Sequence, residues 1–431
     1  EMTSSLVGSE MCIRDRVSPS ENEQTCTFSI RYKKIKNGVC DMAIIKVMLA
    51  GIGGYGDGYL KRLIELSDLG EVEVAGLVEP YTESCKQLDD VKSRGFRIYD
   101  TIEQFYSESS CDLAVISSPI QFHTPMMLYA LAHDSHVLCE KPLTGDINDI
   151  DTLIDARERS GRFVMIGYQW SHSEAILNMK RDIAAGIYGA PEFLKTIVLW
   201  PRNRAYFKRG SGWAGKIRDA EGRVINDSVA NNATAHYLHN IFFTLGAAVS
   251  SDLSFSLAPE TTTAELYRAN DIENFDTAII SCGFNIGADS AVKSQAISPV
   301  KSLYIASHAV DRTMNPAFEY RFEKGVISYD ENTGRSIVGK LADGSTHDYG
   351  DPFESQFRKL DLAIANAASR DSSKWVIPCG IETASAQVKC IAECTKQPIH
   401  DFAPERIRIG DGELVYAHGL YDELVERYKQ A

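Results

Sequence analysis

Three residues of the stretch NNATAHYLHN, namely Asn232, His236 and His239, stand four and three positions apart. On a helix turning about 100° per residue, their side chains fall within roughly 60° of arc, so one face carries an amide and two imidazoles. An imidazole with an ordinary pKa of about 6.5 exchanges protons at neutral pH. Beside a cation that steadies a developing alkoxide, it can take the proton of an alcohol whose carbon gives up a hydride. Two histidines on one face also begin a zinc site, but a third protein ligand is needed and nothing in the sequence obviously supplies it, so no metal is expected. For His239 two readings stay open, a substrate contact and a histidine hydrogen-bonded within helix packing.

A second constellation points to a nucleotide. MLAGIGGYGDGY places Gly51, Gly53 and Gly56 in the G-x-G-x-x-G spacing, after an apolar strand and at the start of a helix, with Gly54 and Tyr55 in the same turn. Glycines there permit a tight turn, close approach of a pyrophosphate and close helix-to-strand packing, while the helix N-terminus offers amide donors and the positive end of its dipole. Glu79 ends the next strand 23 residues past Gly56. A carboxylate in that position accepts hydrogen bonds from both ribose hydroxyls and repels a 2′-phosphate. The following PYTES has no basic residue to offset it, so NAD is expected rather than NADP.

These groups need elements to hold them. The short apolar strands AIIKVMLAG, EVEVAGLVEP, CDLAVISSP, HVLCEKP and RFVMIGYQ alternate with helical segments such as DGYLKRLIEL and PMMLYALAH. That alternation predicts a doubly wound parallel sheet with helices on both faces. Its carboxyl edge is where such sheets bind ligands, which brings in Lys141 and Glu140 of HVLCEKP and Ser118, Pro119 and His123 of SSPIQFHTP. After the helix SEAILNMKRDIAAGIYG the texture changes to longer strands, EFLKTIVLW, DTAIISCGF, KSLYIASHAV and AFEYRFEKGVISYD, which predict a large, mostly antiparallel open sheet. Helices over DPFESQFRKLDLAIANAAS and IETASAQVKCIAECTKQ and a terminal helix from about Glu413 close the chain. The expected fold class is α/β, with an NAD-binding Rossmann domain over 42–168. An α+β substrate-binding and oligomerisation domain is expected over 169–431, its terminal helices packing back on the first. Residues 1–41 lack periodicity and read as disordered. Their opening EMTSSLVGSEMCIRDR resembles a translated sequencing adapter, so they read equally as an artefactual extension before a natural start at Met42.

The glycine turn on the first strand, SPIQFH, EKP and the later helix bearing His236 together resemble the Gfo/Idh/MocA oxidoreductases, the family of glucose-fructose oxidoreductase and inositol 2-dehydrogenase. The resemblance covers nearly everything from Met42 onward, and EKP is its most specific element. It implies a Rossmann domain followed by an open, largely antiparallel sheet, a bound nicotinamide cofactor, and sugar or polyol substrates. It implies further that Lys141 orients the reacting hydroxyl and that His236 is the acid/base. The chain departs from the family pattern four residues before that histidine, where Asn232 replaces an aspartate, and three residues after it, where His239 replaces another. An asparagine can hold an imidazole but cannot stabilise its charged form as a carboxylate does. The leading expectation is an NAD-dependent dehydrogenase acting on a CH–OH group of a sugar, polyol or sugar acid. The alternatives are a glycoside hydrolase or lyase that recycles its NAD within each turnover, and a non-catalytic NAD-loaded sensor.

The segment WPRNRAYFKRGSGWAGKIRD bears on the substrate. It carries Arg202, Arg204, Lys208, Arg209, Lys216 and Arg218 before any acid, in a chain of net charge -14. Charge runs usually face water or a subunit contact. The functional reading is that Arg202 and Arg204 clamp a carboxylate or phosphate while Tyr206 or Trp213 offers an apolar face to a sugar ring. The acidic balance argues against binding nucleic acid or anionic membranes through bulk charge. Ten cysteines in 431 residues are too dilute for a disulfide scaffold. Cys390 and Cys394 share a helix face, and packing is the expected reason. There is neither a transmembrane run nor a signal-peptide pattern, so a cytoplasmic protein is expected, assembling as a homodimer or homotetramer through its C-terminal sheet.

Overall fold

The computed structural model describes residues 44–209, 212–246, 255–286, 299–353, 357–369 and 371–431. The extension over 1–41, read as disordered or artefactual, lies outside the described residues. Residues 45–431 cluster as one compact unit that holds two sheets.

A strand between two helical layers must be apolar on both faces. Five of the six residues of β1 (Ile45–Ala50) are buried. Val47 and Leu49 pack with Leu60 and Leu63 of α1 (Gly56–Asp68), while Met48 and Ala50 face the opposite core. The other strands are β2 (Val72–Val78), β3 (Ile98–Tyr99), β4 (Leu113–Ile116), β5 (His136–Cys139) and β6 (Val164–Ile166). All pairings are parallel, in the order β3-β2-β1-β4-β5-β6. The chain leaves β1 for β2 on one side and later returns to β4 on the other. This topological switch leaves a crevice beyond the carboxyl ends of β1 and β4, where doubly wound sheets take their ligands. The helices α2 (Leu88–Ser93), α3 (Ile102–Glu108), α4 (His123–Ala132) and α5 (Asp149–Ser160) fill the connections, and α6 (Glu174–Ala184) leads to the second sheet.

That sheet has nine strands: β7 (Pro191–Leu199), β8 (Thr261–Arg268), β9 (Thr277–Phe284), β10 (Val300–Ser307), β11 (Met314–Phe322), β12 (Gly325–Asp330), β13 (Ile337–Leu341), β14 (Thr346–Gly350) and β15 (Ile399–Asp401). Its order is β14-β13-β12-β11-β7-β10-β9-β8-β15, antiparallel throughout except for β7–β10 and β8–β15. The run AFEYRFEKGVISYD, expected as one strand, is a hairpin of β11 and β12 turning at Glu323 and Lys324. The two polar residues break its apolar alternation where the chain reverses. Side chains alternate across the sheet, so Val198 and Tyr304 face one core while Ile197 and Ile305 face another.

The remaining helices are α7 (Arg204–Phe207), α8 (Ala235–Leu245), α9 (Arg358–Ala368), α10 (Ile381–Cys394) and α11 (Leu420–Gln430). Leu360, Ala363 and Ile364 of α9 lie under the parallel sheet with Val47 and Leu49. α10 spans two cores, with Ile381 and Ala384 against the parallel sheet and Cys390 and Cys394 beneath the large one. Packing accounts for that cysteine pair, and Cys390 Sγ lies 3.8 Å from Cys282 Sγ. The last helix starts at Leu420 rather than near Glu413, because Ile407–Ile409 and Val415–Ala417 form a small antiparallel ribbon that turns through Gly412 at φ 64°. No helix among the described residues is long and apolar enough to cross a membrane.

Candidate active site

The glycine turn lies at the switch crevice. Gly51 has φ +83°, and a Cβ there would strike the carbonyl of Ser117 at the end of β4, so only glycine lets the two strand ends approach. A Cβ on Gly56 would collide with the Gly51 carbonyl, whereas Gly54, at φ +57°, faces open space. Glu79 follows β2 directly. Its carboxylate accepts from the N–H of Ile52 at 3.2 Å and of Tyr81 at 3.0 Å, which ties it to the turn and leaves lone pairs for another donor. Ser118 and Pro119 lie half-buried past β4, and Ser118 Oγ is buried with no hydrogen-bond partner among the described residues. A cradle only glycine permits, an anchored carboxylate and an orphaned hydroxyl fit a dinucleotide at this edge.

His123 and Glu140, expected at the cofactor, have other work. Both ring nitrogens of His123 meet carbonyls, Nδ1 that of Pro142 at 2.8 Å and Nε2 that of Ser118 at 3.0 Å. The ring is 1% exposed and braces the two loops together. Glu140 is likewise buried, and a buried carboxylate requires partners. It accepts from Tyr59 Oη at 2.6 Å, from the Lys141 N–H at 3.2 Å and from Lys359 Nζ, which also donates to the Gly167 carbonyl at 3.1 Å. Burial pulls Lys359 down, but the Glu140 carboxylate holds it above its ordinary range. This pair pins α9 to the loop that presents Lys141.

Lys141 turns the other way. Its Nζ donates to Asn232 Oδ1 and to the Asn232 carbonyl, both at 2.8 Å. Burial lowers its pKa to about 8; Glu140 and Asp227 oppose that shift, while Lys359 and Arg209 add to it. The helix expected to carry Asn232, His236 and His239 on one face is broken. Asn232 belongs to a π-helical turn, Val229–Ala233, and α8 starts at Ala235. Thr234 makes the break: its N–H reaches back to the Val229 carbonyl at 3.1 Å, and Tyr304 Oη donates to its carbonyl at 3.0 Å.

The two histidines of α8 differ. His236 is half-buried, and its Nδ1 has no hydrogen-bond partner among the described residues. Burial first, then the charges of Lys141 and Lys359, hold its pKa well below the ordinary value, so at neutral pH the ring is uncharged. His239 is 1% exposed, stacks on Tyr168 with centroids 3.9 Å apart, and meets Ser171 Oγ at 3.1 Å. It is a packed core histidine rather than a substrate contact.

In the basic segment, Arg204 is exposed and pairs with Glu413 at 3.4 Å, which sets it apart from the expected clamp. Arg202 and Arg209 instead flank Tyr206, their guanidinium carbons 5.0 and 3.6 Å from its centroid, and Arg209 also lies 4.8 Å from that of Trp213. Arg202 Nε is buried and unpartnered among the described residues. Arg209, Lys141 and Asp227 lie close enough to influence one another by charge. Asp227, Arg209 and Lys359 were not assigned to the site from sequence. Arg209 sat unranked within the basic run, and the other two carry no motif.

A six-stranded parallel sheet with a glycine turn at its switch point and a lysine facing a histidine-bearing helix defines a two-sheet, Rossmann-type dinucleotide-binding architecture. Residues 45–168 match the family described as "Oxidoreductase family, NAD-binding Rossmann fold", the Gfo/Idh/MocA oxidoreductases. An inositol 2-dehydrogenase of Rubrobacter xylanophilus is 24% identical over 206 residues, 46% of this chain and 51% of the relative. One from Salmonella typhimurium is 24% identical over 34% of this chain and 44% of its own length. The chain thus spans about half the length of the curated relatives it matches. The fold is shared with the WlbA dehydrogenase of Bordetella pertussis, solved with NADH and UDP-GlcNAcA (TM-score 0.62, 15% identity, covering 82% of this chain and 97% of the other). It is shared equally with an aldose-aldose oxidoreductase of Caulobacter crescentus solved with glycerol (TM-score 0.61, 17% identity, 82% and 97%).

Proposed function

We propose that this protein is an NAD-dependent oxidoreductase acting on a CH–OH group of a sugar, polyol or sugar acid. The observation that carries the reading is Lys141 Nζ, held on Asn232 past the carboxyl end of a parallel strand, acting by charge on the uncharged, half-buried His236. Gly51, Gly53, Gly54, Tyr55, Gly56, Glu79, Ser118 and Pro119 would hold the cofactor, and bound NAD supplies the hydride acceptor. Lys141, still charged at neutral pH, steadies the oxygen as its proton leaves, and His236 takes that proton. Glu79 supports NAD over NADP, because its carboxylate would repel a 2′-phosphate.

Arg202 and Arg209, both held over Tyr206, with Arg209 near enough to act on Lys141 by charge, support an anionic substrate, a sugar acid or sugar phosphate. A homodimer or homotetramer in the cytoplasm completes the reading, and light scattering of the purified chain tests the assembly. The deciding experiment assays NADH formation over polyols, hexoses, hexuronates and hexose phosphates. The anionic members are expected to show the highest kcat/KM. Best turnover of neutral sugars would remove the anion clamp, and substrate conversion without net NADH would overturn the dehydrogenase reading in favour of internal recycling.

A further inference from the structure

Asp227 lies at the end of a hydrogen-bond chain that runs into the candidate site. It is 3% exposed, between the hairpin bridged at Arg218 and Val224 and the π-helical turn. Its Oδ2 accepts from the Gly215 N–H at 2.6 Å, and its Oδ1 accepts from Asn232 Nδ2 at 2.7 Å. The second bond decides which way the amide faces. With the NH2 end engaged by a carboxylate, which can only accept, Asn232 Oδ1 is turned toward Lys141 Nζ at 2.8 Å. The Asn232 carbonyl takes a second ammonium proton at 2.8 Å. An ammonium has three, and the third is available to an incoming oxygen.

A neutral group would satisfy the Gly215 N–H without the cost of burying a carboxylate. The nearby cations, Lys141 and Arg209, act on Asp227 by charge across the site rather than by direct hydrogen bonds. That arrangement serves orientation and field more than local packing. We propose that Asp227 is a positioning residue: through the amide of Asn232 it sets the orientation and charge environment of Lys141 for the reacting hydroxyl. The inference rests on the oxidoreductase reading for its catalytic consequence, though not for its geometry.

The test therefore has an arm that needs no substrate. Lys141 in the full chain is acetylated with acetic anhydride across pH and its modification is followed by mass spectrometry. Glu140 and Asp227 hold the proton on Lys141, while Lys359, Arg209 and, when charged, His236 push it off. Removing one negative charge with Asp227→Asn should raise the reactivity of Lys141 at pH 7 by about three- to tenfold. Arg204→Ala should leave it unchanged. Unchanged reactivity in Asp227→Asn overturns the proposal whatever turnover does.

The second arm measures kcat on the best substrate of the panel, with NAD affinity by calorimetry as the check on folding. Asp227→Asn should lower kcat by about 10- to 100-fold at unchanged NAD affinity. Asn232→Asp should do so as well, because two carboxylates then meet where an amide–carboxylate bond now spans 2.7 Å. The exchange Asp227→Asn with Asn232→Asp restores one carboxylate and one amide and should recover most of the loss. An exchange no better than the single variants overturns the relay through the amide. A wild-type chain that turns over nothing, with Lys141 reactivity raised in Asp227→Asn, overturns the oxidoreductase reading alone.

Discussion

His236 and His239 stand three residues apart on the same helix, and their surroundings separate them. His236 feels the charge of Lys141 and meets Tyr168 only edge-on, with centroids 6.1 Å apart. His239 lies flat on the same Tyr168, with centroids 3.9 Å apart, and is hemmed in by Ser171 and by Cys379 Sγ at 3.8 Å. Burial lowers both pKa values, that of His239 to about 3. Both keep an Nδ1 without a hydrogen-bond partner among the described residues, and the difference is access: His236 is half-buried, whereas His239 is 1% exposed. An uncharged imidazole is therefore not evidence of a catalytic base until something can reach it.

The largest expected break of this comparison is His236→Ala, which should reduce turnover by about 100-fold or more, the lower end of what general acid/base groups contribute, with NAD affinity intact. His239→Gln should leave kcat within about threefold and instead cost about 1–3 kcal/mol of stability, read as a lower melting temperature. Equal losses of turnover in both variants would erase the distinction.

The basic segment offers the same contrast one step weaker. Arg209→Ala should reduce the preference for anionic over neutral substrates by about tenfold, the value of one charge-assisted hydrogen bond. Arg204→Ala, already paired with Glu413 at the surface, should change it by less than about twofold. A larger effect at Arg204 would return the clamp to the residue first expected. At the cofactor edge, Glu79→Ser should narrow the gap between NAD and NADP affinity by about tenfold in calorimetry. Comparable affinities in the unaltered chain would remove that role from Glu79.

The smallest effect is on the pH dependence of stability. His239 titrates at about 3 in the folded chain against 6.5 for an unperturbed histidine. As pH falls, the unfolded chain takes up this proton first, so the stability contributed by the neutral ring is complete above pH 6.5 and is lost toward pH 3. His172, held at about 4, and His308, at about 3, act in the same direction, so His239→Gln should flatten the acid limb of a melting-temperature profile only in part. An unaltered limb would mean that His239 is not sealed in the folded state.

Much of this was legible without coordinates. The glycine spacing, Glu79 after β2 and Lys141 after β5 are relations between near neighbours in sequence, and a strand-turn-helix unit translates such spacing directly into space. The alternation of apolar runs predicted both sheets, because a parallel strand must be apolar on two faces and a longer antiparallel one alternates. The misreadings arose where remote chain segments intervened. Thr234 breaks the expected helix with help from Tyr304, 70 residues away. Glu140 is consumed by Lys359, 219 residues away. His123 is drawn between two loop carbonyls.

The sequence by itself determined which chemistry this protein holds: a nucleotide turn, a carboxylate beyond the second strand, a lysine at a strand end and imidazoles on a later helix. Only the tertiary structure decided which of those groups face one another. It sealed His239 behind Tyr168 and left His236 open. It set Arg209 against Tyr206 while Arg204 went to the surface. It also brought the carboxylate of Asp227 to the amide of Asn232, so that a charge lacking at position 232 lies one hydrogen bond away. The physical reason is that residue type and local spacing settle what a side chain can donate or accept, whereas burial, partner and field come from segments the chain brings together only on folding.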